Sequence, residues 1–325
     1  MTSFENPELV VIGLGRIGLP IAISAASSGL KVMGIDTNLE TVTKISKNIV
    51  PFKEDGLGKK LSKTLGDSFF PKHIDELQIK NFSSVKYVMI AVGVHNISRR
   101  YPEPFEYTAI KRVIDFLIDN NCIKNKLIIL RPTQPIGSTK KVLDIITSKT
   151  GLIEGQEYYL AYMPERILEG FALEEEANLP KVIGTFSDSS FSVSEKLLKK
   201  LGGKIKRVSS PEVAEFVKLL DNSWRHTRFA FANDAALAAE NSNINVIEAI
   251  EAANFDYPRN SIATPGPVSG YCLGKDPYIF EYAFKKTEIS RKFNSIWYYS
   301  AQSSKYLIDH ILTKVVGSKV LLLGL

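Results

Sequence analysis

Leu9-Val-Val-Ile-Gly13-Leu-Gly15-Arg-Ile-Gly18-Leu-Pro20 is the stretch on which the fold turns. Its four leading apolar residues describe a strand buried on both faces, as parallel strands are. Glycines follow at once, and after them an alanine-rich apolar run reads as a helix to about Ser28. G-x-G-x-x-G between a strand and a helix is the spacing of a dinucleotide-binding turn. Gly13 makes the tight turn, Gly15 lets backbone amides approach a pyrophosphate, and Gly18 allows close helix–strand packing. Arg16 and Ile17 complete the turn and belong to the same cofactor-binding set, and the helix N-terminus adds partial positive charge. Alone, the glycines also describe an ordinary turn.

The next strand, Lys31-Val-Met-Gly-Ile-Asp36, favours the functional reading over a capping role for its aspartate. Asp36 ends that strand roughly 20 residues beyond the glycines, where a carboxylate binds the ribose hydroxyls of the adenosine. Thr37 and Asn38 are uncharged and no arginine stands by to receive a 2′-phosphate, so the cofactor expected is NAD.

Further strands are expected at Tyr87–Val92, Leu127–Leu130 and Tyr158–Tyr162, with a helix over about Thr108–Asp119. Strands alternating with helices give an α/β fold, a Rossmann-like doubly wound parallel sheet with its ligand loops at the carboxyl ends of the strands. Arg131-Pro-Thr-Gln-Pro-Ile-Gly-Ser-Thr139 is such a loop, or a proline-ordered turn. Glu165, directly after a strand, is a candidate active-site carboxylate or half of a surface ion pair with Arg166.

From Pro211 the text becomes helical and runs to about Asn241, with Ala214, Val217 and Leu220 as an apolar stripe. Lys218 and Asn222, four apart, share a face that either points at a ligand or is solvated. A helix over about Asn245–Asn254 leads to Arg259, and a last long one covers roughly Glu288–Leu312. Between them Pro265–Pro277 holds Cys272 among glycines, with Lys275 and Asp276 close by. An ammonium near a thiol favours the nucleophilic thiolate, against the alternative of a small buried apolar residue. The expected domains are 1–208 for the dinucleotide, an all-helical central and dimerisation domain over 209–313, and the first strand of another α/β unit in 314–325.

The 325 residues, 44% hydrophobic and 23% charged, describe an ordinary globular protein. A net charge of +6 from scattered lysines does not suit nucleic acid. No signal pattern or membrane-length apolar run is present, and two distant cysteines make no disulfide framework, so the expected compartment is the cytoplasm. The four histidines, His73, His95, His226 and His310, lack metal-ligand spacing, and no metal is expected.

Together the glycine turn with Pro20, Met163-Pro-Glu-Arg-Ile, Ala214-Glu-Phe-Val-Lys218 with Asn222, and Gly-Tyr-Cys272-Leu-Gly-Lys-Asp276 resemble the UDP-glucose/GDP-mannose dehydrogenase family, nucleotide-sugar 6-dehydrogenases of polysaccharide biosynthesis. The resemblance implies a four-electron oxidation of a sugar CH2OH to a carboxylate with two NAD, through a Cys272 thiohemiacetal and thioester. It assigns the oxyanion to Lys218 and Asn222, each donor lowering the barrier by about 3 kcal/mol. Asp276 and Glu165 manage protons and the hydrolytic water. Thr133 flanks the nicotinamide, and Lys275 joins the cofactor set. Gly270 and Arg259 join Glu165, Lys218 and Asn222 at the substrate, Arg259 across a homodimer interface. Pro164-Glu-Arg-Ile resembles the UDP-N-acetylhexosamine branch more than the UDP-hexose (glucose) branch.

The chain departs from the family at Val92-Gly-Val-His95, at Ser269-Gly270 and Gly274, and at Arg131-Pro132, where an acidic residue is usual. It also ends after one strand of the domain that closes over the nucleotide, from which weak or absent activity is expected. Two other readings remain open at this point: a two-electron hydroxyacid dehydrogenase, and an NAD-binding remnant without turnover.

Overall fold

A computed structural model describes residues 6–77, 82–93, 108–266 and 296–315, together with 268, 273, 276, 279, 280 and 283. The chain divides into two compact units, Met1–Lys218 and Leu219–Leu325.

The first unit is built on eight strands: β1 (Leu9–Ile12), β2 (Val32–Asp36), β3 (Phe69–His73), β4 (Tyr87–Ile90), β5 (Leu127–Leu130), β6 (Tyr159–Tyr162), β7 (Lys181–Thr185) and β8 (Ile205–Val208). They lie side by side in the order 3-2-1-4-5-6-7-8. Helices intervene: α1 (Gly18–Ser27), α2 (Leu39–Ser46), α3 (Leu57–Thr64), α4 (Thr108–Asp119), α5 (Ser138–Thr150), α6 (Ala172–Asn178) and α7 (Asp188–Leu201). Each central strand distributes its side chains with period two. Leu9 and Val11 join one apolar cluster with α1 and α7, while Val10 and Ile12 join a second with α4 and α5. Leu127 and Ile129 face the first cluster, Ile128 and Leu130 the second. Every one of these is buried, and each contributes about 1.5–3 kcal/mol relative to exposure. Continuous apolar runs therefore form strands here because both faces are covered.

β1 pairs with β2 on one side and β4 on the other, so the chain reverses its winding between β1 and β4. That reversal opens the crevice in which doubly wound sheets bind ligands. The sheet is parallel with one exception. β7 runs antiparallel to β6, with Ala161 opposite Thr185 and Tyr162 opposite Gly184. The mostly parallel, doubly wound sheet agrees with the expected fold; at the one antiparallel step the connection holds only a seven-residue helix, α6, about 10 Å long. β7 therefore starts at the carboxyl edge of the sheet, where β1, β4, β5 and β6 end.

A 31-residue helix, α8 (Pro211–Asn241), begins in the first unit and continues into the second. Proline at its first position removes an N–H that would have no intrahelical partner. In the second unit α9 (Val246–Asn254) is capped by Asn245, whose side chain accepts from the N–H of Ile247 and Glu248. Asn254 then exchanges two 2.9 Å hydrogen bonds with the backbone of Ile262. The last helix, α10, is described over Ile296–Thr313. The part of it expected before 296, and the strand expected over 317–325, lie outside the described residues.

The apolar stripe expected on α8 is corrected. Ala214 is buried, but Leu220 is 44% exposed, while Glu215 and Lys218 are 0% and 6% exposed. Val213, Phe216, Leu220, Trp224 and Phe231 fall on one exposed face; Glu215, Lys218, Asn222, His226 and Asn233 fall on the opposite, buried one.

Candidate active site

At the crevice, the glycine turn divides by cause. Gly13 has φ 95° and donates its N–H to the Ile35 carbonyl at 2.7 Å. A Cβ at Gly18 would lie 1.7 Å from the Gly13 carbonyl oxygen, so packing alone forbids one. A Cβ at Gly15 would meet nothing within 4 Å. The fold thus accounts for Gly13 and Gly18, and the bare backbone at Gly15 faces open space. α1 begins there without a side-chain cap and without an acidic residue in its first turn. Leu19 and Ile21 donate to the Gly15 and Ile17 carbonyls at 3.1 and 3.3 Å and Pro20 has no N–H, so the positive end of the helix dipole is met by no side chain of its own first turn.

Asp36 accepts from the Leu14 N–H at 2.7 Å and the Asn38 N–H at 2.8 Å, tying the end of β2 to the turn. Capping of α2 falls to Asn38, which accepts from Thr41 at 3.0 Å, so Asp36 is not a helix cap. These residues fit an adenine dinucleotide: an open cradle at Gly15 for the diphosphate and a carboxylate at the end of β2. Ile17 packs its side chain on the core, leaving its backbone to the turn. The Arg16 side chain pairs with Glu169 and lies 6.0 Å over the Phe52 ring.

In the loop after β5, Arg131, Thr133 and Gln134 are buried and Ile136 is exposed. Thr133 is 8% exposed and Gln134 1%, and the Gln134 amide has no hydrogen-bond partner among the described residues. Glu215 fixes the far end of this loop: it accepts from Gly137 N–H at 2.6 Å, Thr139 N–H at 2.7 Å and Thr139 Oγ1 at 2.6 Å. Burial pushes the Glu215 carboxyl above its ordinary pKa, partly opposed by the bonds from Thr139 and Gly137.

Glu165 is buried, not half of a surface pair. Its Oε2 accepts from Arg131 Nη2 at 3.0 Å, and its Oε1 accepts the Ile167 N–H. Arg131 also donates to Glu176, from Nη2 at 3.1 Å and Nη1 at 3.4 Å. Lys181, the first residue of β7, donates to the Glu176 carbonyl. Burial works against the Arg131 charge, but Glu176 and Glu165 overcome it and raise its pKa. Burial lowers that of Lys181, with Glu176 opposing.

In the second unit Asn222 Nδ2 donates to Asp276 Oδ2 at 2.5 Å, both side chains buried. His226, one turn on, is 7% exposed, and burial lowers its pKa. Lys218, four residues before Asn222 on the same helix, is 6% exposed, so this face is not solvated. Arg259 is exposed and donates to the Tyr257 hydroxyl from Nε at 2.7 Å. Cys272, Gly270 and Lys275 lie outside the described residues. Cys122 is buried, donates its thiol to the Asn120 carbonyl at 3.3 Å, and has its pKa pushed up by burial against the pull of Lys126. A thiol so placed is a poor nucleophile. Among the described residues no group of three or more His, Cys, Asp or Glu is placed to hold a metal, and no helix is long and apolar enough to cross a membrane.

Sequence reasoning missed the partners of Glu165 and the role of Glu215. The signal for Glu215 was an acid four residues from Leu219 and one from Ala214, all of them buried on α8.

Residues 8–202 match the NAD binding domain of the UDP-glucose/GDP-mannose dehydrogenase family, and residues 212–297 match its central domain. The chain is 34% identical over 276 residues to the UDP-N-acetyl-D-mannosamine dehydrogenase of Pyrococcus horikoshii, covering 84% of this chain and 63% of that relative's length. The solved structure of the UDP-D-ManNAc dehydrogenase from Pyrococcus horikoshii superposes with a TM-score of 0.83 at 29% identity, over 94% of this chain and 70% of that one. The UDP-N-acetyl-mannosamine dehydrogenase Cap5O from Staphylococcus aureus gives 0.77 at 27% identity, over 96% and 72%.

Proposed function

This chain belongs to the UDP-glucose/GDP-mannose dehydrogenase family, and from that premise we propose that it takes part in the NAD-dependent oxidation of a UDP-sugar hydroxymethyl group to a carboxylate. The observation that carries the reading is the open cradle at Gly15 beside an uncapped α1, at the point where the sheet reverses its winding. Similarity to UDP-N-acetyl-D-mannosamine dehydrogenases supports a UDP-N-acetylhexosamine as substrate.

NAD, when bound, accepts a hydride from the sugar carbon in each of two oxidations. The chain's own groups do the rest. The Cys272 thiolate adds to the aldehyde left by the first oxidation, and the resulting thiohemiacetal carries the hydroxyl that an aldehyde lacks. Its oxidation leaves a thioester, which water splits into the carboxylate and the free thiol. Lys218 and Asn222 donate to the oxygen that becomes negative. Asp276, already receiving a hydrogen bond from Asn222, and Glu165 order the water and take its proton. Thr133 contacts the reacting carbon, and Arg259 reaches the nucleotide sugar of a second copy. The exposed apolar face of α8 supports a homodimer through that helix.

Counting NADH released per UDP-N-acetylhexosamine tests the scheme, in this chain and in a longer one that contains it. Two equivalents are expected, and none for Cys272→Ser beyond the first oxidation. One equivalent, or a fully active Cys272→Ser, removes the thioester route. Gly15→Ala isolates the cofactor part: its stability is expected to stay within about 0.5 kcal/mol of the parent, while NAD affinity by fluorescence titration falls at least about tenfold.

A further inference from the structure

Resting on that reading of Glu165, the geometry points to Arg131 as the positioning residue of this carboxylate, with Glu176 as the counter-charge that holds Arg131 in place. Arg131, Glu165 and Glu176 have side chains 4%, 6% and 4% exposed. Replacing a whole buried ion cluster by well-packed apolar residues is often neutral or stabilising, so such a cluster is weak evidence of a purely stabilising role. Glu176 engages both terminal nitrogens of the guanidinium, while Nε is left without a partner among the described residues. Glu165 is the additional partner, and each of its carboxylate oxygens accepts one hydrogen bond. Oε2 is held by Arg131 and Oε1 by the Ile167 N–H, while its own N–H donates to the Arg131 carbonyl at 3.2 Å.

One acceptor site on each carboxylate oxygen is used by these bonds, which leaves one on each for a water. Arg131 immediately follows β5, and Thr133 is two residues further on, so the residue that aims the carboxylate is rigidly joined to the loop of the cofactor set. The cluster also accounts for the departure at this position. An acidic residue at 131 would bring three carboxylates together in a buried space. Arginine and Lys181 instead balance Glu165 and Glu176, two cations against two anions.

Arg131→Met, Arg131→Lys and Glu176→Gln test this by rapid-mixing kinetics with NAD and the UDP-sugar that the parent chain oxidises. Because Glu165 acts on the water after both oxidations, Arg131→Met is expected to release two NADH per site in a burst. Its steady turnover should then be about 100-fold slower, with KM for the sugar falling alongside it so that kcat/KM stays within about twofold of the parent. Arg131→Lys is expected to recover about tenfold of that loss, keeping the charge but not the forked geometry. Glu176→Gln should show the same burst with a smaller fall. A parent-like turnover in Arg131→Met overturns the inference alone. So does a loss of burst and turnover together in all three variants with the fold lost, which marks a purely structural cluster. A parent that releases no NADH overturns the reading of Glu165 and this inference with it.

Discussion

The sheet and α8 bury opposite kinds of residue. In β1, β4 and β5 every side chain is apolar or aromatic and hidden, and composition predicts burial. In α8 the hidden face carries Glu215, Lys218, Asn222, His226 and Asn233, while Val213, Phe216, Leu220, Trp224 and Phe231 face outward. Burying polar groups costs free energy unless each finds a partner. The sheet is thus selected for stability. The helix buries polar groups on one face, which gain stability only where each finds a partner, and leaves its other face apolar and exposed.

The sharpest way to break this contrast begins with the sheet. Ile128→Ala is expected to lower unfolding free energy by about 2–5 kcal/mol in urea titration, as buried large-to-small changes do. A cost under about 1 kcal/mol would mean that the sheet interior is not packed as described.

Glu215→Gln comes next. It leaves one of three donors facing an amide N–H in place of an oxygen, and about 1–3 kcal/mol is expected to be lost at neutral pH. The sign of the pH dependence follows from the raised carboxyl pKa. The folded chain binds this proton more tightly than the unfolded one, so its contribution is complete below about pH 4.5 and is lost as pH rises through the folded pKa. The glutamine variant removes that slope, which thermal melts across pH 4–7 read directly.

Smallest in stability is the outer face. Trp224→Ser and Phe231→Ser are expected to change the unfolding free energy of the isolated chain by less than about 0.5 kcal/mol. If the proposed homodimer forms through this face, sedimentation should show it dissociating in both variants. A large loss of monomer stability instead would place both residues in the interior and erase the contrast.

The sequence disclosed what burial on two faces makes obvious. The run from Leu9 to Asp36, the strands at Tyr87 and Leu127, and the extent of α8 were all legible in it. β3 and β8 were not. They are the two edge strands, and Phe-Phe-Pro-Lys-His and Ile-Lys-Arg-Val carry too little apolar pattern, because one side of each has no neighbouring strand. The direction of β7 was hidden as well, since a strand of five residues reads the same either way. At the site, residue types were legible one by one, but pairing was not. Arg131 and Glu176 are 45 positions apart, and Glu215 lies 76 from Thr139. Nothing local announces either contact.

The reversal at β7 carries one more consequence. β6 and β7 share two paired residues, where β1 and β4 share four and β2 and β3 share five. The panel formed by β7 and β8 is therefore joined to the other six strands along the seam with the fewest paired residues, with α7 packed across it on β6 as well as β7. Transient opening should start there. Lys181, at the first residue of that panel, is the member of the charged cluster that such opening would disturb first.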